Sequence, residues 1–275
     1  MSSSSSCSTG LSNQVLTDGF CSLELPVNIN QVRSIRVVGR GINEILVVDR
    51  GVDSVLYIYD SDGDGIPDSQ RTLVTASNLN HGLAIHDGYL YASSDTTVYR
   101  WPYNDDDDAT NNNGPVVGEQ EIAVTNMNAD GMGGAPRGHT TRTIEFDNEG
   151  RIYISVGSNG NVDPDSYRSR IRRGDIINQP LPLDFQTMDV FADGLRNEVG
   201  LAFDRDGVLW GVENSADNLF RDDLGGRIVN DNPAEELNRF REEDFGKHYG
   251  YPWCWTEYLL PEPYGLGRGT GMWTL

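Results

Sequence analysis

The sequence of 275 residues predicts an all-β protein made of repeated β-sheets, each sheet a blade of a β-propeller. Two observations predict this fold class. The chain has 31 glycines, and Gly, Asn and Asp crowd between short apolar runs, as in proteins with many tight turns. A unit of strand, Asp/Gly turn and strand also recurs, with second strands beginning near residues 45, 90, 152 and 208. Such intervals accommodate three or four strands per unit, which is typical of propeller blades.

The repeat units can be placed in order along the chain. Residues 1–30 are rich in Ser and Asn without sustained periodicity, so we expect a Ser-rich N-terminal tail there. Residues 31–275 are expected to form a partial propeller. Further strands are expected at residues 54–59 and 97–101, behind the first and second units. The four units, each with an Asp or Gly turn at its centre, are 36–48, 83–92, 142–156 and 200–210.

The composition is strongly acidic, with a formal net charge of −21. A net negative charge of this size repels nucleic acid and anionic membranes, so we expect neither as a partner. No apolar run approaches the roughly 18 residues that a membrane span needs. Residues 2–6 are all serine, unlike the apolar core of a signal peptide. The three cysteines are an odd number and define no disulfide framework. They are Cys7, Cys21 and Cys254.

An acidic loop, DSDGDGIPD at residues 60–68, has the spacing of a calcium-binding loop. Its aspartates are Asp60, Asp62, Asp64 and Asp68. The first three alternate, so their carboxylates can converge on one hard cation. The twelfth position is Arg71 and not the bidentate Glu of an EF-hand, so the loop resembles the DxDxDGxxD loops found outside EF-hands. An acidic turn without metal is the alternative.

Two further stretches carry ordered motifs. Residues 138–142 read GHTTR and lead into a repeat strand that continues as YISVGS at residues 153–158. Residues 191–253 read FADGLRNEVGLAFDRDGVLWGVENSADN and, after a polar gap, EELNRFREEDFGKHYGYPW. This series resembles the quinoprotein sugar dehydrogenases, the soluble glucose dehydrogenase and sorbosone dehydrogenase group. The resemblance implies a six-bladed β-propeller that binds pyrroloquinoline quinone (PQQ). Only four units are visible, so we expect about four blades and a C-terminally truncated chain.

The resemblance also implies roles for residues in these motifs. A Gly-His step before a blade supplies the family's catalytic base, which here is His139, and histidine suits proton abstraction because its pKa lies near neutrality. Arg196 is expected to polarise the quinone oxygen. The main-chain carbonyls of Ser215 and Ala216, where relatives often have Gly-Pro, are expected to bind the catalytic Ca²⁺. The residues expected to bind PQQ are Asn80, His81, Ser158, Arg196 and Asn197.

Each of these assignments has a structural alternative. His139 could cap a turn or pack beside the channel. Asn80 and His81 could be ordinary turn residues, and Arg196 could be a surface side chain.

By the same resemblance, the chain oxidises a sugar or a related alcohol or aldehyde with PQQ and Ca²⁺ as cofactors. Hydride passes to the quinone, and the electrons then go to an external acceptor. The expected location is secreted, extracellular or periplasm-like. Two alternatives from other classes remain open: a non-catalytic extracellular propeller that binds proteins or glycans, and a metal-dependent lactonase-type propeller.

Overall fold

A computed structural model describes most of the predicted propeller. The described residues are 20, 22–39, 43–105, 114–128, 138–164, 168–222, 225–229, 235–257 and 271–274. Cys7, Cys21 and most of the predicted tail lie outside these ranges. Residues 28–31 hydrogen-bond to the first sheet, with the main-chain N–H of Gln31 donating to Asp49 over 3.0 Å. Within the described ranges, no helical segment has the length and hydropathy that a membrane span requires.

Four mainly antiparallel sheets follow one another along the chain. The first contains β1 (Val32–Val37), β2 (Glu44–Asp49), β3 (Ser54–Tyr59) and β4 (Ser69–Thr75). The second contains β5 (Leu83–His86), β6 (Tyr89–Ser93), β7 (Val98–Asn104) and β9 (Glu121–Thr125), with β8 (Val116–Val117) paired to β7. The third contains β10 (Ile144–Phe146), β11 (Arg151–Val156), β12 (Arg170–Asp175) and β14 (Asp189–Asp193). The fourth contains β15 (Glu198–Phe203), β16 (Leu209–Glu213) and β19 (Glu236–Phe240).

Short strands extend or accompany these sheets. β13 (Leu183–Asp184) pairs in parallel with β9, and β20 (Lys247–His248) pairs in parallel with β14, so later chain segments tie onto earlier blades. Two small hairpins complete the described strands: β17 (Phe220–Arg221) with β18 (Gly226–Arg227), and β21 (Cys254–Glu257) with β22 (Gly271–Thr274). Single 3₁₀ turns occupy Arg50–Val52, Phe185–Thr187 and Glu242–Asp244.

The first strands of the four sheets lie side by side. β1 contacts β5, β5 contacts β10, and β10 contacts β15. Nε2 of His81, just before β5, lies 3.0 Å from the carbonyl oxygen of Val199 in β15. Oγ1 of Thr143, just before β10, lies 2.9 Å from the same oxygen. Three sheets therefore meet at one carbonyl around a common axis, and the prediction of an all-β propeller with about four blades is confirmed.

Three hydrophobic clusters fill the spaces between neighbouring blades. The cluster between the first and second sheets includes Leu46 and Trp101, and the one between the second and third includes Tyr91 and Ile152. Phe240 belongs to the cluster between the third and fourth sheets. Burying one apolar side chain of this size stabilises the folded state by on the order of 1.5–3 kcal/mol. The clusters thus hold the blades face to face and fix the loops at their inner ends.

The hairpin turns follow the chemistry that the sequence predicts. Asp87 and Gly88 have φ values of 46° and 73° in the two-residue turn between β5 and β6. This left-handed pair suits a type I′ turn, whose twist matches that of the strands. The strands expected at 54–59 and 97–101 are confirmed as β3 and, shifted by a few residues, β7.

Candidate functional site

His139 lies in the segment that leads into β10 and is tied to the end of β11. Its main-chain N–H donates to the carbonyl oxygen of Ser158 over 3.0 Å, and its Nδ1 lies 2.9 Å from the same oxygen. A carbonyl oxygen only accepts, so Nδ1 carries the proton and Nε2 keeps its lone pair. The half-buried imidazole is therefore held in the tautomer that a general base needs.

The environment of His139 keeps its imidazole neutral. Burial lowers the pKa of His139 most, and the positive charges of Arg196 and Arg168 lower it further. The Ser158 carbonyl and the Asp217 carboxylate act in the opposite direction. A pKa below the usual value for histidine leaves the ring unprotonated at pH 7, ready to accept a proton.

Gly157 lets His139 and Asn197 approach each other. A Cβ atom at Gly157 would lie 2.8 Å from Cβ of His139 and 2.5 Å from Oδ1 of Asn197, closer than real Cβ contacts allow. The N–H of Ser158 donates to the carbonyl oxygen of Arg196 over 2.8 Å. Four sequence-predicted site residues are thus brought together: His139, Ser158, Arg196 and Asn197.

Arg196 is buried, with only 4% of its surface exposed. Its Nη2 lies 2.8 Å from Oδ2 of Asp217 and 3.2 Å from Oδ1 of Asn161. Its Nη1 donates to the carbonyl oxygen of Asn214 over 3.1 Å. Its main-chain N–H donates to a carboxylate oxygen of Glu213. The alternative interpretation of the sequence, in which Arg196 is a surface side chain, is therefore wrong, because its guanidinium is buried and hydrogen-bonded inside the site.

A pocket of about 150 Å³ opens beside Arg196. Ser215 and Ala216, both half-buried, form part of its wall, and the main-chain N–H of Ser215 is held by the Glu235 carboxylate. Other lining residues supply carboxylates, aromatic rings and an amide: Glu213, Glu236, Asp217, Phe220, Tyr251 and Asn161. One buried guanidinium thus shares the pocket with three carboxyl groups, an arrangement that suits an anionic ligand together with a cation.

A pair of buried glutamates, Glu198 and Glu213, supports this pocket, and the sequence analysis did not predict the pair. Nδ2 of Asn238 lies 2.7 Å from Oε1 of Glu198 and 3.0 Å from Oε2 of Glu213. Burial raises the pKa of Glu198 to about 8. Burial and then the charge of Glu198 raise the pKa of Glu213 well above its usual value. The signal in the sequence that could have predicted this pair is the presence of two acids at inward-facing positions of paired strands, where apolar residues are expected.

Asn80 and His81 lie at the start of the second blade. Asn80 is 5% exposed, and its Nδ2 donates to the carbonyl oxygen of Thr140 over 2.9 Å, beside His139. His81 donates from Nε2 to Val199, as described above, and burial lowers its pKa. Asn80 thus supports the His139 segment, whereas the described contacts of His81 join blades and do not reach Arg196.

The acidic loop connects β3 and β4, in the first blade. Carboxylate oxygens of Asp60, Asp62 and Asp64 lie within 4.8 Å of one another. The Asp60 carboxylate accepts the N–H groups of Gly63 and Gly65, each over 2.7 Å. Asp68 is not in this group of three and accepts the N–H of Ser61 over 3.0 Å. This candidate cation site is separate from the pocket, which is built mainly on the third and fourth blades and the loops that follow them.

The fold and the site define a β-propeller in which a half-buried histidine lies close to a buried arginine. The chain belongs to the TrAA12-like family, whose model matches residues 14–272. This confirms the resemblance to the quinoprotein sugar dehydrogenases.

Known relatives support the same assignment. The chain is 35% identical over 231 residues to a pyrroloquinoline quinone-dependent sugar dehydrogenase of Hypocrea jecorina, covering 77% of this chain and 50% of the relative. An iodide structure of a Trichoderma reesei family AA12 enzyme matches with a TM-score of 0.72 and 32% identity, covering 89% and 61% of the two chains. The holo PQQ domain of pyranose dehydrogenase from Coprinopsis cinerea matches with a TM-score of 0.68 and 28% identity, covering 84% and 56%. The chain thus spans about half the length of the curated relative.

Proposed function

We propose that this chain carries a PQQ- and calcium-dependent dehydrogenase site that oxidises a sugar or a related alcohol or aldehyde. The observation that carries the proposal is the pairing of a neutral histidine, whose Nε2 lone pair is free of the Ser158 contact, with the buried Arg196 across Ser158. A base and a fixed cation held together in one site are the groups that alcohol oxidation requires.

The residues present fit these cofactors. PQQ carries three carboxylates and a quinone, which the Arg196 guanidinium and the Asn197 amide can bind as donors. The pocket also contains the carboxylates of Glu236 and Asp217, which would repel an anionic cofactor alone. A divalent cation at the wall formed by Ser215 and Ala216 would offset that repulsion, so the two cofactors fit together better than either does alone.

The residues of this chain would have separate roles in the reaction. When bound, PQQ supplies the group that accepts hydride from the substrate carbon. His139 takes the proton of the substrate hydroxyl at Nε2, while the Ser158 carbonyl holds the proton on Nδ1 and stabilises the resulting imidazolium. Arg196, held by Asn161 and Asp217, keeps a positive charge at the pocket without reorganisation.

Sugar-dependent dye reduction by this chain, supplied with PQQ and Ca²⁺, tests the proposal. We expect His139→Ala to lower kcat/KM by at least about 100-fold, the usual contribution of a general base. His86→Gln is the matched control, because His86 stacks on Phe146 with ring centroids 4.5 Å apart and lies in the β5–β6 hairpin. Full activity in the His139 variant would show that another group is the base. Absence of PQQ binding would favour a non-catalytic propeller.

We also propose a structural Ca²⁺ at the acidic loop of residues 60–68. Its three converging carboxylates support this role. Added Ca²⁺ is expected to raise the Tm of the chain without cofactor, and Asp62→Asn with Asp64→Asn to remove most of that rise. Asp206→Asn, in an exposed turn of the fourth blade, is the control. An equal rise in the loop variant would assign the effect to another site.

An external electron acceptor and a secreted location complete the proposal, and the net charge of −21 supports solubility outside the cell. Reduction of an added dye in the absence of oxygen is the expected sign of an external acceptor. Immunodetection in culture medium and in washed cells tests the location. Protein found only in the cells would contradict secretion.

A further inference from the structure

Two fully buried arginines lie behind His139 and donate to its main-chain carbonyl oxygen. Nη1 of Arg142 lies 3.0 Å from that oxygen, and Nη2 of Arg168 lies 2.8 Å from it. Both residues have a relative exposure of 0%. Arg142 reaches the carbonyl from the start of the third blade, and Arg168 reaches it from the segment before β12. The carbonyl is therefore fixed from two directions.

The same two side chains hold the surrounding main chain. Nη1 of Arg142 also donates to the carbonyl oxygen of Thr141 over 2.9 Å, and its Nε donates to that of Asp95 over 3.0 Å. Nε of Arg168 donates to the carbonyl oxygen of Gly157 over 2.8 Å. Arg168 thus connects the two segments, 139–141 and 157–158, that place the histidine ring.

Positioning alone does not require two cations. Asn80, a neutral side chain, holds the adjacent carbonyl of Thr140 over 2.9 Å. Burying a guanidinium is costly, and burial together with the nearby charge of Arg168 lowers the pKa of Arg142 to about 9. What the arginines add over a neutral donor is positive potential behind the His139 ring.

We propose that Arg142 and Arg168 are positioning residues for His139, which hold its main-chain carbonyl from two directions. Arg168 has a second effect, because its positive charge opposes protonation of the His139 ring. The proposal rests on the proposed function, in which His139 is the base. It deepens that function by assigning the control of the base to two residues that lie behind the ring and donate to main-chain carbonyls.

The charges that face the ring agree with this role. Arg168 and Arg196 both lower the pKa of His139, and the partly opposing charge is that of Asp217, whose side chain is 72% exposed. The exposed carboxylate is screened by solvent, whereas the buried guanidinium is not. The charge of Arg168 therefore outweighs the charge of Asp217 in its effect on the proton affinity of His139.

The test is an NMR titration of the His139 ring in the chain without cofactor, with the signal assigned by its loss in His139→Gln. In Arg168→Gln, a donor remains but the charge is removed, so we expect the pKa of His139 to rise. In Arg168→Lys, the charge remains, so the pKa should change much less. Arg172→Gln is the matched control: Arg172 is buried and donates to the Met188 carbonyl over 2.6 Å, in the same blade. It should lower the Tm and leave His139 unchanged.

An unchanged pKa of His139 in Arg168→Gln would overturn the proposal, as would an equal rise in Arg172→Gln. If Arg168→Gln does not fold, the unsubstituted chain is titrated in its place: a His139 pKa at or above about 6.5, the ordinary value, overturns the proposal.

A second readout separates this proposal from the proposed function. With PQQ and Ca²⁺ bound, the acidic limb of the pH profile of kcat/KM should move to higher pH in Arg168→Gln by the same amount as the NMR pKa. A shifted NMR pKa in a chain without dehydrogenase activity would support the positioning role and contradict the proposed function.

Discussion

At the scale of single residues, the Asn238 amide, which donates to both Glu198 and Glu213, matters most for how the site responds to pH. Glu198 and Glu213 are opposite each other in the register of β15 and β16, and both are buried. Two carboxylates this close in a low dielectric cannot both ionise easily, so a proton is retained. Since Glu213 also accepts the N–H of Arg196, the protonation of the pair bears directly on the position of that arginine.

Glu198→Gln, which mimics the protonated acid, is expected to flatten the dependence of stability on pH. The pKa of Glu198 rises from 4.5 to about 8 on folding, so the folded chain retains a proton that the unfolded chain releases. Its stabilisation is complete below pH 4.5 and is lost as the pH rises towards 8, by up to about 1.4 kcal/mol per pH unit. Urea unfolding at pH 5, 6.5 and 8 measures this slope.

The control for this experiment is Glu149→Gln, because the Glu149 side chain is 73% exposed and should leave the slope unchanged. Parallel curves for the unsubstituted chain and the Glu198 variant would mean that Glu198 is ionised in the folded state.

At the scale of elements, the third and fourth blades each have an aspartate that makes the same set of hydrogen bonds. Asp147, before the turn of the third blade, accepts the N–H groups of Glu149 and Arg151 and the hydroxyl of Tyr153. Asp204, before the turn of the fourth blade, accepts from the residues two, four and six positions later in the same manner. The repeated DxxG turn thus also pins the second strand of its hairpin.

Asp147→Ala is expected to destabilise the chain by about 1–3 kcal/mol, because part-buried N–H groups and the Tyr153 hydroxyl lose their acceptor. The change should appear in the free energy of unfolding from urea denaturation. Asp206→Ala is the matched control, since Asp206 is exposed and its described ion pair with Arg205 is 3.7 Å long. Equal losses in the two variants would show that the acceptor role of Asp147 is unimportant.

At the scale of the whole molecule, one face of the fourth blade exposes apolar side chains among the described residues. Val212 and Leu237 pair directly across β16 and β19, with exposures of 48% and 65%. β19 is also the edge of its sheet, and among the described residues no further strand pairs with it. The opposite faces of the same strands carry the buried Leu209 and Phe240, so one face of the blade is packed, whereas Val212 and Leu237 on the other face stay exposed among the described residues.

We expect this face to drive self-association of the chain, because an exposed apolar face beside an open strand edge favours pairing with another copy. Leu237→Lys should lower the apparent mass measured by sedimentation at high protein concentration. Ile177→Lys is the control, since Ile177 is 54% exposed in a turn away from this face. An equal effect of the two variants would point to net charge and not to the face.

Interactions between residues close in sequence determined the fold class of this protein and several of its candidate site residues. The strand period, the Asp/Gly turns and the repeat spacing depend on neighbours in sequence, so the propeller and its four blades could be predicted without coordinates. His139 and Arg196 were found because they sit in short ordered motifs. The Asp60 loop was found for the same reason, since its ligands come from consecutive residues.

Which side chains meet across blades depends on the tertiary fold. The Glu198–Glu213 pair requires the register of two strands, and the pair of arginines behind His139 requires two segments more than 25 residues apart. Whether a charged residue is buried depends on what packs over it, and that contact comes from another blade. The sequence therefore singled out His139 and Arg196 as candidate site residues, while the packing of blades determined their burial, their hydrogen-bond partners and the contact of Asn80 with the Thr140 carbonyl.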